Sequence, residues 1–363
     1  MMWFVLGVLL LGGLAFVAVV VGKLIASRSK DSGGFVSAVY IYPVKSCKGM
    51  RLLKKDDDAG QITRLGFKWD RRFMVVERKS NLFVSQRKYP KMANIEPWLS
   101  ASDDSDGTTM VTLKLTYAAG RTRSTTTTHV ERFSLQDAKT DKMPKQEVKV
   151  WGDTMVATRL SDDAAKWLSS VLDLDCYLVT VISDSDHSRP VAKGYEVFSG
   201  DQAGGFPDGF PFLLASKESL ALVNSKLKQD HAQPIPMDRF RPNIVVEGVS
   251  EPFAEDHWAK IMIGDVDFRV AKPCSRCSMP CVDQKTGTRN KDNQPTKTMR
   301  KFRSFRWVKA DKLDVYFGQN LICYQKQGRI IEGDPVKVVC GTWYKGGQKS
   351  ILTTVMLALA RFI

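Results

Sequence analysis

The sequence predicts an α+β protein with one N-terminal transmembrane helix. Short apolar or alternating runs, bounded by Gly, Asp and Asn, recur from residue 36 to residue 151 and are typical of β-strands. Helical periodicity joins the strands after Leu160. The run Trp3–Val21 is apolar and uncharged, and it is close to the roughly 20 residues that a helix needs to cross a bilayer.

The flanks of this apolar run predict its orientation. Lys23, Arg28 and Lys30 follow it, and the first acidic residue is Asp31. By the positive-inside rule the C-terminal side lies in the cytosol. A cleaved secretory signal peptide is the alternative, but it needs a basic region before the apolar run, and none is present. Residues 1–34 are therefore predicted to be a membrane anchor and linker.

The next part, residues 35–159, is predicted to be a strand-rich domain. Its strands are expected at Val36–Val44, in two pieces within Arg64–Glu77, at Met110–Tyr117 and at Gln146–Trp151.

Residues 160–341 are predicted to form a second domain that mixes helices and strands. Ser161 and Ser216 each precede a helical pattern and are expected to cap it. A β-hairpin is expected at Ile261–Val270, with Gly264-Asp265 in its turn, and a strand pair is expected within Ile330–Val339. The apolar tail 342–363 is too short to span a bilayer.

The charge of the chain is strongly positive. Lys and Arg number 54 against 39 Asp and Glu, which gives a net charge of +15. This predicts an anionic partner, or else a solvated basic face. The chain has no RNP-type aromatic motif, C2H2 spacing or helix-turn-helix pattern, so no nucleic-acid partner is expected.

Cysteine usage points to a reducing compartment and to one segment of chemical interest. The seven cysteines are odd in number and irregularly spaced, so no disulfide framework is expected. Cys274 and Cys277 form a Cys-x-x-Cys behind the predicted hairpin. It can be part of a zinc site, a redox pair, one thiolate ligand of a soft metal, or two inert thiols. The single thiolate fits best, because ligand histidines and a following helix are lacking and Arg276 favours the ionised form.

Further polar residues lie at the ends of other predicted strands. They are Lys45, Ser46, Arg72, Arg241 and Asn243. Such side chains can hold a phosphate or a planar heterocycle through charge-assisted hydrogen bonds. With the cysteine, they suggest a thiolate-bound metal whose organic ligand carries a phosphate.

Several motifs, in this order, resemble the MOSC-domain family and within it the amidoxime-reducing components of mitochondria. The motifs are Ile41–Gly49, Asp70–Phe73, Phe240–Val245, Cys274–Cys277, Val282-Asp283 with Thr286-Gly287, and Phe317–Gln319. The resemblance covers about Phe35 to Gly341 and implies a C-terminal MOSC β-barrel with peripheral helices.

The resemblance also implies the chemistry. It assigns a Mo-molybdopterin (molybdenum) cofactor, with Cys277 as metal ligand and catalytic residue. Lys45, Ser46, Arg72, Arg241, Asn243, Ser275 and Arg276 fall on cofactor-binding positions. The implied activity is reduction of N-hydroxylated compounds such as amidoximes, hydroxylamines and N-hydroxylated bases. NADH would supply the electrons through cytochrome b5 reductase and cytochrome b5. The implied location is the mitochondrial outer membrane, with a single pass and the catalytic part facing the cytosol.

The chain departs from the family pattern at two places and leaves other roles open. Gly209-Phe210 replace a threonine–serine pair, and Asn320 replaces a tyrosine, so those cofactor contacts are expected to change. Cys281 and the tail have no assigned role. The basic segment Lys285–Lys309 is the expected docking region for an acidic electron donor. A non-catalytic molybdopterin or sulfur carrier, and a metal-free tethered scaffold, are the alternative functions.

Overall fold

The computed structural model describes residues 32–54, 60–63, 65–119, 125–140, 142–182, 189–191, 195–197, 202–304, 314–325 and 327–341. The predicted membrane segment Trp3–Val21 and the tail 342–363 lie outside these residues. Within them, no helix is both long and apolar enough to cross a membrane.

The described chain consists mainly of β-strands. They are β1 (Ser32–Ile41), β2 (Met50–Leu52), β3 (Gln61–Thr63), β4 (Gly66–Phe67), β5 (Phe73–Glu77), β6 (Ile95–Asp103), β7 (Thr109–Ala119), β8 (Thr125–Ser134), β9 (Lys145–Val150), β10 (Asp153–Arg159), β11 (Cys176–Thr180), β12 (Arg189–Pro190), β13 (Gln202–Ala203), β14 (Phe212–Ser216), β15 (Ile244–Glu247), β16 (Trp258–Ile263), β17 (Val266–Arg276), β18 (Val315–Cys323), β19 (Gly328–Arg329) and β20 (Pro335–Gly341). The α-helices are α1 (Leu135–Lys139), α2 (Asp162–Leu172), α3 (Lys217–Gln229) and α4 (Thr296–Met299).

The largest sheet closes into a barrel. Its order is β15-β14-β18-β17-β16-β20-β1-β2, and an additional β15–β1 pairing closes the first seven strands into a ring. Only β14 and β15 pair in parallel within it. Few helices accompany the strands, so the predicted strand-rich class with a barrel is confirmed for the described residues.

The first strand of the chain belongs to this barrel. Val36 pairs with Val246 of β15, and Ser32 pairs with Lys337 of β20. The barrel is therefore completed by residues far apart in sequence. The predicted division of the chain after residue 159 remains a prediction.

Three smaller sheets and one two-stranded ribbon, β12-β13, accompany the barrel in the described residues. The three sheets have the orders β5-β11-β10-β9, β6-β7-β8 and β19-β3-β4. The apolar core is continuous between them and the barrel, because one cluster of buried residues contains Phe73 of β5, Leu113 of β7 and Phe268 of β17. The end of β5 is thus held rigidly against the barrel, which matters for the site below.

Local sequence signals are confirmed in the helices and the hairpin. Ser161 and Ser216 are the N-caps of α2 and α3, and their side chains accept hydrogen bonds from the backbone N–H groups of Ala164 and Ser219. β16 and β17 form the predicted hairpin, with Ile263 opposite Val266.

The strand pair predicted within Ile330–Val339 is wrong in its first half. Only β20 is a strand there. Residues 331–334 instead form a turn in which the Asp334 carboxylate accepts from the Ile331 N–H, at 2.8 Å. The N–H of Gly333 donates to the Val36 carbonyl at 2.8 Å. The segment packs on β1 because these polar groups are satisfied there.

Candidate cofactor site

Three segments meet at one end of the barrel: residues 42–49 after β1, residues 70–72 before β5, and residues 240–243 before β15. The Arg71 N–H donates to the Tyr42 carbonyl at 2.9 Å, and the Tyr42 hydroxyl donates to the Pro242 carbonyl at 3.0 Å. The Lys45 N–H donates to the Phe73 carbonyl at 2.8 Å. Strand ends that are this closely bonded bring side chains together from distant parts of the sequence.

Arg241 lies in this cluster, as predicted. It is buried, its guanidinium donates to the Cys47 carbonyl, and its Cζ is 4.2 Å from the centroid of the Tyr42 ring. Burial, reinforced by the nearby charge of Arg71, lowers the pKa of Arg241 to about 10. Its positive charge is therefore poorly compensated by the protein.

Arg71, the neighbour of the predicted Arg72, shares the Tyr42 ring with Arg241. Its Cζ is 4.5 Å from the ring centroid, and its Nη1 donates to Asn243 Oδ1 at 3.0 Å. It also pairs with the Asp70 carboxylate. Arg72 is buried too, and its Cδ would lie 3.3 Å from a Cβ at Gly205. Its backbone carbonyl accepts from Thr180 Oγ1 at 3.1 Å.

Asn243 lies in the cluster but uses its side chain to hold the protein together. Its Oδ1 accepts from Arg71 and, at 3.2 Å, from the Leu213 N–H, while its Nδ2 donates to the Tyr40 carbonyl at 3.1 Å. Asn243 thereby links β1 to β14 and orients Arg71.

Lys45 and Ser46 are buried beside a carboxylate. Lys45 Nζ donates to the Phe206 carbonyl at 2.9 Å and pairs with Asp208, whose side chain is 67% exposed. Desolvation alone would raise the pKa of Asp208, but the Lys45 ammonium, the Trp151 indole and the Arg71 charge together outweigh it, and the pKa is lowered. Ser46 has a left-handed backbone with φ of 67°.

The cysteine segment follows the long strand β17. The strand passes through Cys274 and ends at Arg276, with irregular register against β18 after Val270 and after Pro273. Cys277 comes directly after it and is exposed, and its Sγ accepts from the Met279 N–H at 3.5 Å. The exposed Ser275 lies opposite Tyr316 of β18.

Arg276 connects the cysteine segment to the arginine cluster, which is the pair Arg71 and Arg241 that shares the Tyr42 ring. Its Nη2 donates to the Phe240 carbonyl at 2.7 Å, and its Nη1 donates to Cys274 Sγ at 3.0 Å. Its Nε is buried with no hydrogen-bond partner among the described residues. A buried N–H group of this kind can serve a ligand.

The two family departures lie near Lys272 on β17. Its Nζ is 5.5 Å from the ring centroid of Phe210 and 5.3 Å from that of Tyr195. The Lys272 carbonyl accepts from Asn320 Nδ2 at 3.4 Å. Gly209, before Phe210, has open space where a Cβ would stand. Phe210 and Asn320, which stand where the family has other residues, therefore make contacts within the protein beside the site.

Sequence reasoning missed Tyr42, Arg71 and Asp208. The adjacent arginines in Asp70–Phe73 have the same chemistry, and no sequence signal separates them. Tyr42 belongs to a noted motif, but its hydroxyl bond to Pro242 is a long-range contact. Asp208 lies in a glycine-rich loop, and its ion-pair partner Lys45 is far away in sequence.

The donor set fits an anionic ligand that carries a soft metal. The buried guanidinium of Arg241 and the free N–H of Arg276 suit an anion, and the exposed Cys277 thiol suits a soft metal. Within the described ranges, no group of three or more His, Cys, Asp or Glu side chains is arranged to hold a metal ion.

Comparisons with known proteins identify the family of the chain. The profile described as the MOSC domain matches residues 201–337, and the one described as the MOSC N-terminal beta barrel domain matches residues 33–175. Mitochondrial amidoxime-reducing component 1 of Mus musculus is 30% identical, over 85% of this chain and 83% of the relative. The Homo sapiens protein of that name is 29% identical, over 84% and 82%. A molybdenum cofactor sulfurase of Oryza sativa subsp. japonica is 27% identical, over 89% of this chain and 36% of the relative.

Fold, site and matched profiles define a MOSC-domain protein, a class related to the molybdenum cofactor. The chain belongs to the family that contains the mitochondrial amidoxime-reducing components.

Proposed function

We propose that this protein is a molybdenum-cofactor-dependent reductase of N-hydroxylated compounds, such as amidoximes, hydroxylamines and N-hydroxylated bases. The reaction cleaves an N–O bond with two electrons and two protons and releases water. Relatives of nearly the same length are named amidoxime-reducing components, which supports this reaction class.

The exposed Cys277 thiol is the observation that carries the proposal. It directly follows a barrel strand that is paired on both sides, and a backbone N–H is directed at its sulfur. The thiolate form of a cysteine is the one that binds metals. A thiol held this way is accessible to a metal and small substrates while its backbone stays fixed.

The arginine cluster would hold the anionic part of the cofactor. Arg241 and Arg71 provide guanidinium groups, Lys45 provides an ammonium group, and Ser46 lies next to Lys45 in a strained backbone. Arg276, next to Cys277 in the chain, would contribute its free Nε–H, with Ser275 beside it. Asn243 supports the cluster by orienting Arg71, and the buried Arg72 is the next residue after Arg71 in the chain.

When bound, the molybdenum cofactor supplies the electrons that cleave the N–O bond. The protein residues bind it, orient it and keep water from the buried guanidinium groups. Cys277, exposed directly after β17, would hold the metal where small substrates can reach it.

A basic surface beside the site would receive the electron donor. Of the predicted basic segment, Lys285, Arg289, Lys291, Lys297, Arg300 and Lys301 are exposed. Arg303 is buried and pairs with Asp256 at 2.7 Å, so it is not available for docking, and Arg306 and Lys309 lie outside the described residues. The segment begins eight residues after Cys277, the proposed metal ligand. We propose that it binds cytochrome b5, which NADH-cytochrome b5 reductase reduces.

The location is proposed from the names of the relatives and from the sequence. The relatives are named as mitochondrial proteins. With the apolar run Trp3–Val21 as a single-pass anchor, the catalytic part would face the cytosol from the outer membrane.

Metal analysis tests the proposal. The protein is produced in a host that makes the cofactor, and molybdenum per chain is measured for wild type, Cys277→Ala and the control Cys274→Ala. We expect molybdenum in wild type and Cys274→Ala, and a large loss in Cys277→Ala. Equal molybdenum in all three would contradict the ligand assignment, and no molybdenum in the wild type would contradict the function.

A sulfur-carrier function is the second candidate, because the chain also matches molybdenum cofactor sulfurases along 89% of its length. Reduction of an amidoxime by the purified protein with cytochrome b5, its reductase and NADH separates the two. A molybdenum-loaded protein with no reductase activity would favour the carrier.

A further inference from the structure

We propose that Tyr42 is a positioning residue that holds the guanidinium groups of Arg71 and Arg241 together for one phosphate-type group. The inference rests on the proposed function, in which that group belongs to the cofactor.

Tyr42 contacts both arginines through the same ring. The Cζ atoms of Arg71 and Arg241 lie 4.5 and 4.2 Å from the ring centroid. Arg241 is buried and Arg71 is half-buried, so little water screens the repulsion between their charges. The negative face of an aromatic ring attracts a cation, so the ring offsets part of this repulsion.

Tyr42 is itself fixed by all three segments of the site. Its N–H donates to Asp70 Oδ1 at 2.8 Å, its carbonyl accepts from the Arg71 N–H, and its hydroxyl donates to the Pro242 carbonyl. A Cβ at Gly49 would lie 2.5 Å from the ring atom Cε1, so the backbone of the 42–49 segment packs on the ring edge. The ring cannot reorient without moving these segments, and it therefore fixes the distance between the two arginines.

The two arginines differ in how their charge is balanced. Arg71 pairs with Asp70, whereas Arg241 has no carboxylate within ion-pair distance in the described part of the chain. The cluster therefore lacks one anion. A phosphate that reaches both guanidinium groups would supply it.

Both arginines also have an unusual backbone. Arg71 has φ of 50° and Arg241 has φ of 56°, the left-handed region that residues with a Cβ rarely adopt. Such conformations persist where the surroundings impose them, and they concentrate at binding sites. Here they direct two side chains from different loops onto one ring.

Tyr177 provides a matched control. It is 2% exposed like Tyr42, its ring faces Arg78 and Arg159 at 5.4 and 5.5 Å, and its hydroxyl donates to Asn81 at 3.0 Å. It lies on β11, outside the cluster.

The test measures binding of inorganic phosphate to cofactor-free protein by calorimetry, with the melting temperature without phosphate as a check of folding. We expect Tyr42→Leu to weaken phosphate binding about tenfold, because the ring no longer holds the guanidinium groups. Tyr42→Phe keeps the ring and should stay within about twofold of wild type, and Tyr177→Leu should bind like wild type. If Tyr42→Leu does not fold, Tyr42→Met, which is longer and lacks the ring face, takes its place with the same expectation.

The outcomes separate this inference from the proposed function. Wild-type affinity in a folded Tyr42→Leu protein overturns the role of Tyr42, and so does an equal loss in Tyr177→Leu. A wild type that binds no phosphate overturns the anion site. Molybdenum content, measured in parallel, decides the proposed function separately. A wild type without molybdenum overturns the proposed function, whereas equal molybdenum in wild type and Tyr42→Leu overturns only the role of Tyr42.

Discussion

Arg276 donates a hydrogen bond to the sulfur of Cys274, at 3.0 Å, and not to that of its other neighbour, Cys277. The two cysteines of the Cys-x-x-Cys are therefore unequal. Cys274 is half-buried and accepts a hydrogen bond from a guanidinium, whereas Cys277 is exposed and, among the described residues, its sulfur accepts from the Met279 N–H alone.

This inequality predicts the order of thiol alkylation in cofactor-free protein at pH 8. We expect iodoacetamide to modify Cys277 first. The buried Cys47 and Cys176 should react last, because desolvation raises their pKa values to about 12 and about 11 and keeps them protonated. Peptide mass spectrometry over time gives the order. Cys277→Ser should lack the fastest phase, and a fastest phase at Cys274 would refute the assignment.

The raised pKa of Cys47 predicts a loss of stability at alkaline pH. Its pKa is about 12 in the folded protein, through desolvation, against 9.0 for an ordinary thiol. Between about pH 9 and about pH 12 the folded state binds more protons than the unfolded state. The contribution of the protonated Cys47 thiol to stability is therefore complete below about pH 9 and is lost as the pH rises towards about 12. Urea unfolding from pH 8 to 10.5 should show a shallower fall for Cys47→Ala than for wild type. Parallel curves would contradict this cause.

Asp208 is expected to weaken anion binding at the site. Its carboxylate pairs with Lys45 and accepts from the Trp151 indole at 3.2 Å. Asp208→Asn keeps the shape but removes the charge, so inorganic phosphate should bind about three- to tenfold more tightly to cofactor-free protein. Asp175→Asn, which breaks an exposed pair with Arg78, is the control. Unchanged or weaker binding in Asp208→Asn would show that the carboxylate does not compete.

The basic surface predicts salt-dependent turnover with cytochrome b5. The double variant Lys291→Glu, Lys297→Glu should lower the second-order rate with cytochrome b5 about tenfold or more at low salt, and the difference should shrink at high salt. Lys139→Glu, on α1 in another part of the protein, should have little effect. Equal rates for all three proteins across the salt range would exclude this docking region.

The cap of α2 predicts a stability change that leaves the site intact. Ser161 caps the helix and donates from its hydroxyl to the buried Glu131 carboxylate at 2.5 Å. Ser161→Ala loses the cap and one partner of a buried charge, so we expect a loss of about 2 kcal/mol. Chemical unfolding measures it, and Lys166→Ala, on the exposed side of α2, is the control. Molybdenum content should not change.

Local features of this fold could be predicted from the sequence. The caps Ser161 and Ser216 and the Gly264-Asp265 hairpin depend on neighbouring residues, so their signals lie within a short window. The position of Cys277 just behind a strand follows from the same hairpin.

Contacts between distant segments could not be predicted in this way. The turn at 331–334 forms because it bonds to Val36 of β1, a contact that no local pattern contains. Likewise, only the folded backbone directs Arg71 towards Tyr42 and Asn243.

The pairing of β1 with β15 and β20 has a consequence for biosynthesis. β2 follows β1 directly and can pair with it early, but β15 and β20 are translated much later, so the β1 positions that pair with them stay open until nearly all of the barrel has been translated. Closing so long a loop is slow, and an exposed strand edge invites aggregation. A fragment that starts at residue 160 would have the opposite defect, with two open edges where β1 belongs. We therefore expect the barrel to close only after β20 has been translated.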